Sequence, residues 1–397
     1  MTIDLRTCSE WDVKIELNRS KSLYIRYLIY YYLQHGEVLP VSEGESHDIH
    51  IVARSLQMVK EAACHDKPII IDVEDCGAAY RFLLALLSVT EGEWRLTGSP
   101  RLLQRPIAPL INTLQGIGAE ILQTDRGIII LGKTLSAKEV TIDCSLSSQF
   151  ASAILLIGNT IGLHKLVILP DTPPSLPYIE MTFAIIQDEL LDNFNPADIE
   201  RDWSSAAFWY AMTALSRNGR CEMEGLYLDS LQGDSIVADW FVHFGVISKP
   251  TEKGIVITKD SSFTPDNKIL IFDISATPDL SPILSVLAIL SGQPILLKGC
   301  DNLNHKESRR LDIIACELSS FAEISLHDEG RYCLIMPSEK MMDRELSFKS
   351  YEDHRFVMAF MLFALSNKIK IDNCTPVKKS YPRFLEDVMH IQRLSLL

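Results

Sequence analysis

Gly77-Ala78-Ala79-Tyr80-Arg81-Phe82-Leu83-Leu84-Ala85-Leu86-Leu87, with Gly92 beyond it, is the stretch on which the fold turns. A small polar start leads into a segment of helical length that is apolar almost all round. A helix apolar on every face is buried on every face, and a trailing Gly suits a C-terminal cap. The same plan recurs upstream, from Lys21-Ser22-Leu23-Tyr24-Ile25-Arg26 to Gly36, and downstream, from Ser147-Ser148-Gln149-Phe150 to Gly158. It returns three times in the second half: Ser204-Ser205-Ala206-Ala207-Phe208 to Gly219, Asp279-Leu280-Ser281-Pro282 to Gly292, and His354-Arg355-Phe356-Val357-Met358 to Ser366.

Amphipathic helices are predicted between these segments. One covers 106–116, with Pro106 suited to a first helical turn. Others run from Tyr178 to Leu191, Asp234 to Phe244, Arg309 to Phe321 and Pro382 to Leu394. Short apolar runs alternate with the helices and read as strands: Pro68 to Asp72, Gly127 to Leu131, Lys165 to Leu169, Gly254 to Thr258, Lys268 to Phe272 and Pro294 to Leu297. The outline is six similar α/β units, three before about residue 201 and three after. On this pattern alone a generic α/β enzyme is an equal reading.

The length of 397 residues suggests two or three domains of roughly 150 residues each. The formal net charge of −14 speaks against nucleic acid as a partner, because phosphate backbones need a basic surface. Nine cysteines (Cys8, Cys64, Cys76, Cys144, Cys221, Cys300, Cys316, Cys333 and Cys374) are scattered, odd in number and without a CxxC pair. They are expected to form neither a disulfide framework nor a zinc site. The N-terminal stretch lacks a basic region followed by an apolar one. No apolar run reaches the ~20 residues that span a bilayer. The expectation is a reduced, cytoplasmic protein with no membrane segment.

Cations stand where a helix disfavours them. Lys21 and Arg355 fall at predicted helix starts, and Lys306 and Arg310 at another. A helix N-terminus is partly positive, so a cation there is disfavoured by roughly 0.3–1 kcal/mol. An anion between cation, dipole and free N–H groups would resolve the conflict. Arg101 and Arg105 precede a helix, as does Lys379. Asp279 and Glu307 share these starts and are placed for proton transfer. The residues read as a site for several anions with acid/base groups. Each cation by itself also reads as solvated.

The motifs resemble one family. Ser20-Lys21-Ser22 with Arg26 is similar to the SKSxxxR signature of the enolpyruvylshikimate-phosphate synthases, which are enolpyruvyl transferases. Leu96-Thr97-Gly98-Ser99-Pro100-Arg101 with Arg105-Pro106-Ile107 resembles their LTGxxRxxxRPI. Ser145-Leu146-Ser147-Ser148-Gln149-Phe150 resembles SxSSQF, and Ser175-Leu176-Pro177-Tyr178-Ile179 resembles SxPYI. Ser230-Leu231-Gln232-Gly233-Asp234 is similar to SxQGD, and Asp279-Leu280 to the PDL region. Lys306-Glu307-Ser308-Arg309-Arg310-Leu311 resembles KESDRL, Asp353-His354-Arg355 is their DHR, and Lys379-Ser380-Tyr381-Pro382 resembles KSYP. The matches keep the family's order from residue 20 to 382.

The resemblance implies an α/β protein of two domains, each of three βαβαββ units with buried helices. One domain would cover 18–201, the other 1–17 with 202–397. Helix starts would face an interdomain cleft that substrates close. The implied activity transfers the enolpyruvyl group of phosphoenolpyruvate to the 5-hydroxyl of shikimate 3-phosphate, by a monomer without metal or organic cofactor. Shikimate 3-phosphate would meet Ser22, Arg26, Ser147, Ser148, Gln149, Ser175, Tyr178, Asn302 and Lys306. Phosphoenolpyruvate would meet Lys21, Gly77, Arg105, Gln149, Arg310, Arg355 and Lys379. Asp279 is the implied base at the 5-hydroxyl, and Glu307 exchanges the proton at C3 with Lys21 beside it. Asp279→Ala is expected to remove most turnover and leave the fold intact.

Departures mark three places. The family's N-A-G-T/S reads Asp75-Cys76-Gly77-Ala78, the acid of KESDRL is Arg309, and the Lys that often follows the serine of SxPYI is Leu176. An ionised Asp75 beside the phosphoenolpyruvate site is expected to repel it, so Asp75→Asn should tighten binding. These departures keep a non-catalytic, phosphate-binding homologue in view. UDP-N-acetylglucosamine enolpyruvyltransferase shares the architecture but usually carries a loop Cys, and Gly98 to Ile107 has none.

Overall fold

Two separate hydrophobic cores form, each in its own part of the chain. The computed structural model describes residues 2–6, 8–62, 68–188, 194–266, 268–338 and 345–394. Ser20–Ile199 make one compact unit, inserted between the two parts of the other, Met1–Arg19 and Glu200–Leu397. We call them the inserted and flanking units. The chain leaves and re-enters the flanking unit side by side: Arg19 bridges Arg201 antiparallel, and Asp202 N–H donates to the Asn18 carbonyl at 3.0 Å.

In chain order the flanking unit starts with β1 (Thr2–Ile3) and β2 (Glu10–Ile15). The inserted unit follows with α1 (Lys21–His35) and α2 (His47–Glu61). Next come β3 (Ile69–Asp72), α3 (Gly77–Val89), β4 (Gly92–Thr97), α4 (Pro100–Leu103), α5 (Ala108–Gly116), β5 (Glu120–Thr124) and β6 (Gly127–Gly132). The unit ends with β7 (Glu139–Asp143), α6 (Gln149–Leu156), α7 (Gly158–Ile161), β8 (Lys165–Leu169) and α8 (Pro177–Ile186). Strands β3 to β6 form a sheet in the order β3-β4-β6-β5, with β3 and β4 parallel and the rest antiparallel. That is a β-α-β-α-β-β path.

The flanking unit repeats this path. After α9 (Trp203–Leu215) come β9 (Asn218–Glu224), α10 (Val237–Trp240), β10 (Val246–Pro250) and β11 (Gly254–Lys259). With β2 they form a sheet in the order β10-β11-β9-β2. Then β12 (Leu270–Asp273), α11 (Ser281–Ser291), β13 (Ile295–Lys298), α12 (Arg310–Glu317), β14 (Ala322–His327) and β15 (Tyr332–Pro337) give the order β12-β13-β15-β14. The last segment, β16 (Leu346–Phe348), α13 (His354–Met361), β17 (Ile369–Ile371) and α14 (Phe384–Leu394), closes on β1. The repeat is abbreviated in the inserted unit. Its first segment has α1 and α2 without strands among the described residues, where Gly36, Pro40 and Gly44 interrupt any extended run.

The all-round apolar helices are buried as expected, with one exception. Eleven of 13 residues are buried in α3, 12 of 13 in α9 and all eight in α13. Only seven of the 15 in α1 are, because its later turns carry Tyr31, Tyr32, Gln34 and His35 toward solvent. Gly36 and Gly292 are left-handed helix caps, at φ 67° and 71°. Gly92, Gly158 and Gly219 are not caps; they lie in β4, α7 and β9.

Several predicted boundaries move. The helix expected from Asp234 to Phe244 breaks into 3-10 turns on both sides of α10. The helix expected to Leu191 ends at Ile186, and residues 189–191 lie outside the described residues. No disulfide joins any two of the eight described cysteines, and Cys64 lies outside the described residues. No helix among the described residues is long and apolar enough to cross a membrane.

Candidate active site

In the inserted unit the expected residues gather at helix starts. Lys21 opens α1, Gly77 opens α3, Gln149 opens α6 after its N-cap Ser148, and Ser175 and Tyr178 flank the start of α8. Ser175 has a left-handed φ of 57° and is buried. A start of this kind leaves backbone N–H groups free to meet an anion.

Arg26 ties three of these helices together. Its Nε donates to Thr182 Oγ1 at 2.7 Å, and its terminal nitrogens donate to the Ser22 carbonyl at 2.8 Å, the Tyr178 carbonyl at 3.2 Å and Ser152 Oγ at 3.3 Å. Its guanidinium also lies over the rings of Phe82 and Tyr178, at 5.1 and 5.7 Å from their centroids. All its hydrogen bonds go to neutral oxygens. Burial pulls its pKa down to about 10. A buried cation served only by neutral partners and ring faces is poorly compensated, and an anionic ligand would complete it.

A second cluster sits at Gly77. A Cβ added there would lie 2.5 Å from an Arg105 terminal nitrogen and 2.9 Å from one of Arg81. Glycine thus admits two guanidiniums to the start of α3. Arg81 donates to the Gly77 carbonyl at 3.1 Å, to Gln149 Oε1 at 2.9 Å and to the Pro106 carbonyl at 3.1 Å. It thereby joins α3, α6 and the segment that carries Arg105.

Lys21 is anchored differently. Its ammonium meets Asp48 Oδ2, on α2, at 3.2 Å, and the Asp48 carboxylate is almost wholly buried. The cation that looked misplaced at a helix start therefore has a carboxylate partner. The same correction applies in the flanking unit.

There Asp279 takes a hydrogen bond from Arg310 at 2.7 Å on one oxygen and from Arg355 at 3.1 Å on the other. Arg310 also donates to Glu307 Oε2 at 2.9 Å and through Nε to Asp353 Oδ2 at 3.0 Å. Asp353 is the N-cap of α13 and accepts from the Arg355 N–H. Burial pushes the Asp279 pKa up, but the charges of Arg310, Arg355 and Lys306 outweigh it and hold the carboxyl well below the usual range. Burial works against the charge of Arg310, and Asp353, Asp279 and Glu307 more than restore it.

Asn302 is the N-cap of the 3-10 turn Leu303–His305, and Lys379 ends another 3-10 turn, Thr375–Lys379. Ser147 bonds locally, accepting from the Gln149 N–H at 3.3 Å. Of the departures, Arg309 is exposed and pairs with Asp312, while Leu176 and Ala78 pack on the core. Asp75 accepts a hydrogen bond from the Ser99 hydroxyl.

Sequence reasoning missed Asp48 because it missed α2, whose single apolar stripe lacks the all-round pattern. Asp353 and Asp234 stood inside quoted motifs, DHR and SxQGD, without roles. Asp353 could have been found as an Asp immediately before a helix start. Asp234 is buried, and its Oδ2 accepts from the Ser204 hydroxyl. Burial and then the charge of Asp279 push its pKa up to about 6.

Solved structures share this architecture. An EPSP synthase from Acinetobacter baumannii matches with a TM-score of 0.67 at 18% identity, over 98% of this chain and 97% of its own. The enolpyruvyl transferase NikO from Streptomyces tendae matches with 0.64 at 13%, over 96% and 95%. The fold is that of the enolpyruvyl transferases. Within that class the chain belongs to the EPSP synthase (3-phosphoshikimate 1-carboxyvinyltransferase) family, whose sequence profile matches residues 39–189 and 193–388. A 3-phosphoshikimate 1-carboxyvinyltransferase of Bacteroides fragilis is 32% identical over 96% of this chain and 95% of its own length. One of Pyrococcus abyssi is 30% identical over 81% of this chain and 78% of its own.

Proposed function

We propose that this protein transfers the enolpyruvyl group of phosphoenolpyruvate to the 5-hydroxyl of shikimate 3-phosphate and releases phosphate. The observation that carries the reading is Arg26, a buried guanidinium whose hydrogen-bond partners among the described residues are neutral, set against the start of α8. It suits the anionic shikimate 3-phosphate, together with Ser22, Ser147, Ser148, Gln149, Ser175 and Tyr178. Asn302 and Lys306 belong to the same proposed set. Phosphoenolpyruvate is taken by Lys21, Arg105 and the start of α3 at Gly77, with Arg310, Arg355 and Lys379.

The 5-hydroxyl oxygen adds to C2 of phosphoenolpyruvate, and Asp279 accepts the hydroxyl proton. Glu307 delivers a proton to C3, with Lys21 assisting. The tetrahedral intermediate then returns a C3 proton to Glu307 and breaks its bond to the phosphate oxygen, which leaves as phosphate with the proton from Asp279, giving the enol ether. Held by Arg310 and Arg355, Asp279 is a weak base. Anionic substrate that draws these arginines away raises its basicity. On this reading the protein is a cytoplasmic monomer that uses no metal or organic cofactor.

The test is phosphate release on mixing protein with both substrates, against each substrate alone. Release that depends on both supports the reading. Binding without release would make the chain a non-catalytic homologue. Release with UDP-N-acetylglucosamine in place of shikimate 3-phosphate would move it to the other branch.

A further inference from the structure

Asp75 belongs to the turn that leads into α3, and Ser99 to the segment that carries Arg105. The two segments touch at their closest points. Ser99 N–H donates to the Glu74 carbonyl at 2.8 Å, and a Cβ added to Gly98 would lie 2.6 Å from that same oxygen. Glu74 has a left-handed φ of 52° and is held from α2, by His47 at 2.7 Å and Arg54 at 3.1 Å. The Ser99 hydroxyl donates to Asp75 and accepts from the Leu102 N–H at 3.1 Å, as the N-cap of α4.

The chemistry fixes the direction of each bond. An ionised carboxylate only accepts, so the Ser99 proton must point to Asp75. That leaves a lone pair for the Leu102 N–H and orients the first turn of α4. Past α4 the chain returns to α3, where the Arg105 guanidinium meets Gly77. The segment from Gly98 to Arg105 is thus fastened to the start of α3 at both ends.

We propose that Asp75 is a positioning residue: through Ser99 it sets the α4 segment so that Arg105 reaches the start of α3, where the phosphoenolpyruvate anion binds. The proposal rests on the functional reading above. It gives the acid a role toward the substrate besides repulsion. The carboxylate opposes the anion by its charge and serves it by its bond, and substitutions separate the two effects.

The experiment compares Asp75→Ala, Ser99→Ala, the double variant and Asp75→Asn in steady-state phosphate release. Losing this hydrogen bond is expected to raise the KM for phosphoenolpyruvate about fivefold in Ser99→Ala and by a smaller factor in Asp75→Ala, which also removes the opposing charge, with the KM for shikimate 3-phosphate changed less than about twofold in both. Because both substitutions remove the same bond, the double variant should raise the KM by less than the product of the two single effects. Asp75→Asn keeps an acceptor for Ser99 and loses the charge, so its KM should equal or fall below that of the unaltered protein. An unchanged KM in Asp75→Ala, equal rises for both substrates, or additive effects in the double variant would overturn the proposal. Amide hydrogen exchange gives a readout that needs no turnover. Faster exchange at Ser99 and Leu102 in Asp75→Ala supports the latch, and unchanged exchange refutes it. If the unaltered protein releases no phosphate, the functional reading fails and exchange alone decides the latch.

Discussion

Asp279 and Arg310 are joined by a 2.7 Å hydrogen bond between opposite charges, and the Arg310 side chain is wholly buried. Arg355 holds the other Asp279 oxygen at 3.1 Å. This bridge changes the expectation that Asp279→Ala leaves the fold untouched. Removing the carboxylate leaves two buried guanidiniums short of a partner, although Arg310 keeps Asp353 and Glu307. Truncating one member of a buried pair costs about 3–5 kcal/mol. The Asp279 side chain is 23% exposed, which favours the low end. Asp279→Ala should therefore lose about 3 kcal/mol in urea unfolding at pH 7, along with most turnover. The folded pKa is depressed, so this stability is present above the unfolded value of about 3.9 and is lost as the pH falls below it. A variant that unfolds at the same urea concentration as the unaltered protein would show that the bridge does not stabilise the fold.

Asp234 predicts the opposite pH dependence. It is 1% exposed, its Oδ1 has no hydrogen-bond partner among the described residues, and its pKa is pushed up to about 6 by burial and the Asp279 charge. An acid whose folded pKa exceeds its unfolded value favours folding most while protonated. Its penalty grows from about pH 4 to 6 and is then constant. Asp234→Asn should stabilise the protein by roughly 2 kcal/mol at pH 8 and by little at pH 4. Unfolding curves at the two pH values check this, and an equal effect at both would reject it.

Lys21 depends on Asp48, 3.2 Å away on α2. Without the acid, the ammonium loses this carboxylate partner and the position it fixes. Asp48→Ala is expected to lower kcat/KM about tenfold, or 1.4 kcal/mol. Asp48→Glu, which restores the charge, should recover part of the loss. Equal losses in the two variants would mean that packing of α2, and not the pairing, is what matters.

Gly77 is the position where backbone and cations meet most closely. Cβ of an alanine there would press on the terminal nitrogens of Arg105 and Arg81, at 2.5 and 2.9 Å. Those are the ends of flexible side chains, so they move and the helix stays. Alanine also favours a helix over glycine by up to about 1 kcal/mol. Gly77→Ala should fold with unchanged or higher stability, while the KM for phosphoenolpyruvate rises about tenfold. Melting curves and steady-state kinetics on one preparation decide it. A loss of stability, or an unchanged KM, would contradict the geometry.

By itself the sequence determined the alternation of helices with strands, because all-round apolar runs such as 77–87 and 203–214 have no place but a core. It also marked nearly every residue of the candidate site, because helix starts with Ser, Gly, Lys and Arg carry their chemistry in local order. Strands such as β9 escaped notice: Gly219, Cys221 and Met223 face inward there without the β-branched residues that usually signal an extended run. What only the tertiary structure decided is which charges meet. Asp48 lies 27 residues from Lys21, and Asp279 lies 31 from Arg310 and 76 from Arg355. Helix periodicity reports which face of a segment is buried, and it says nothing of which distant carboxylate arrives opposite a guanidinium. Coulomb energy depends on that separation in space and on the burial around it, so the pairing of Asp279 with two arginines, and of Asp75 with Ser99, exists only once the segments are packed.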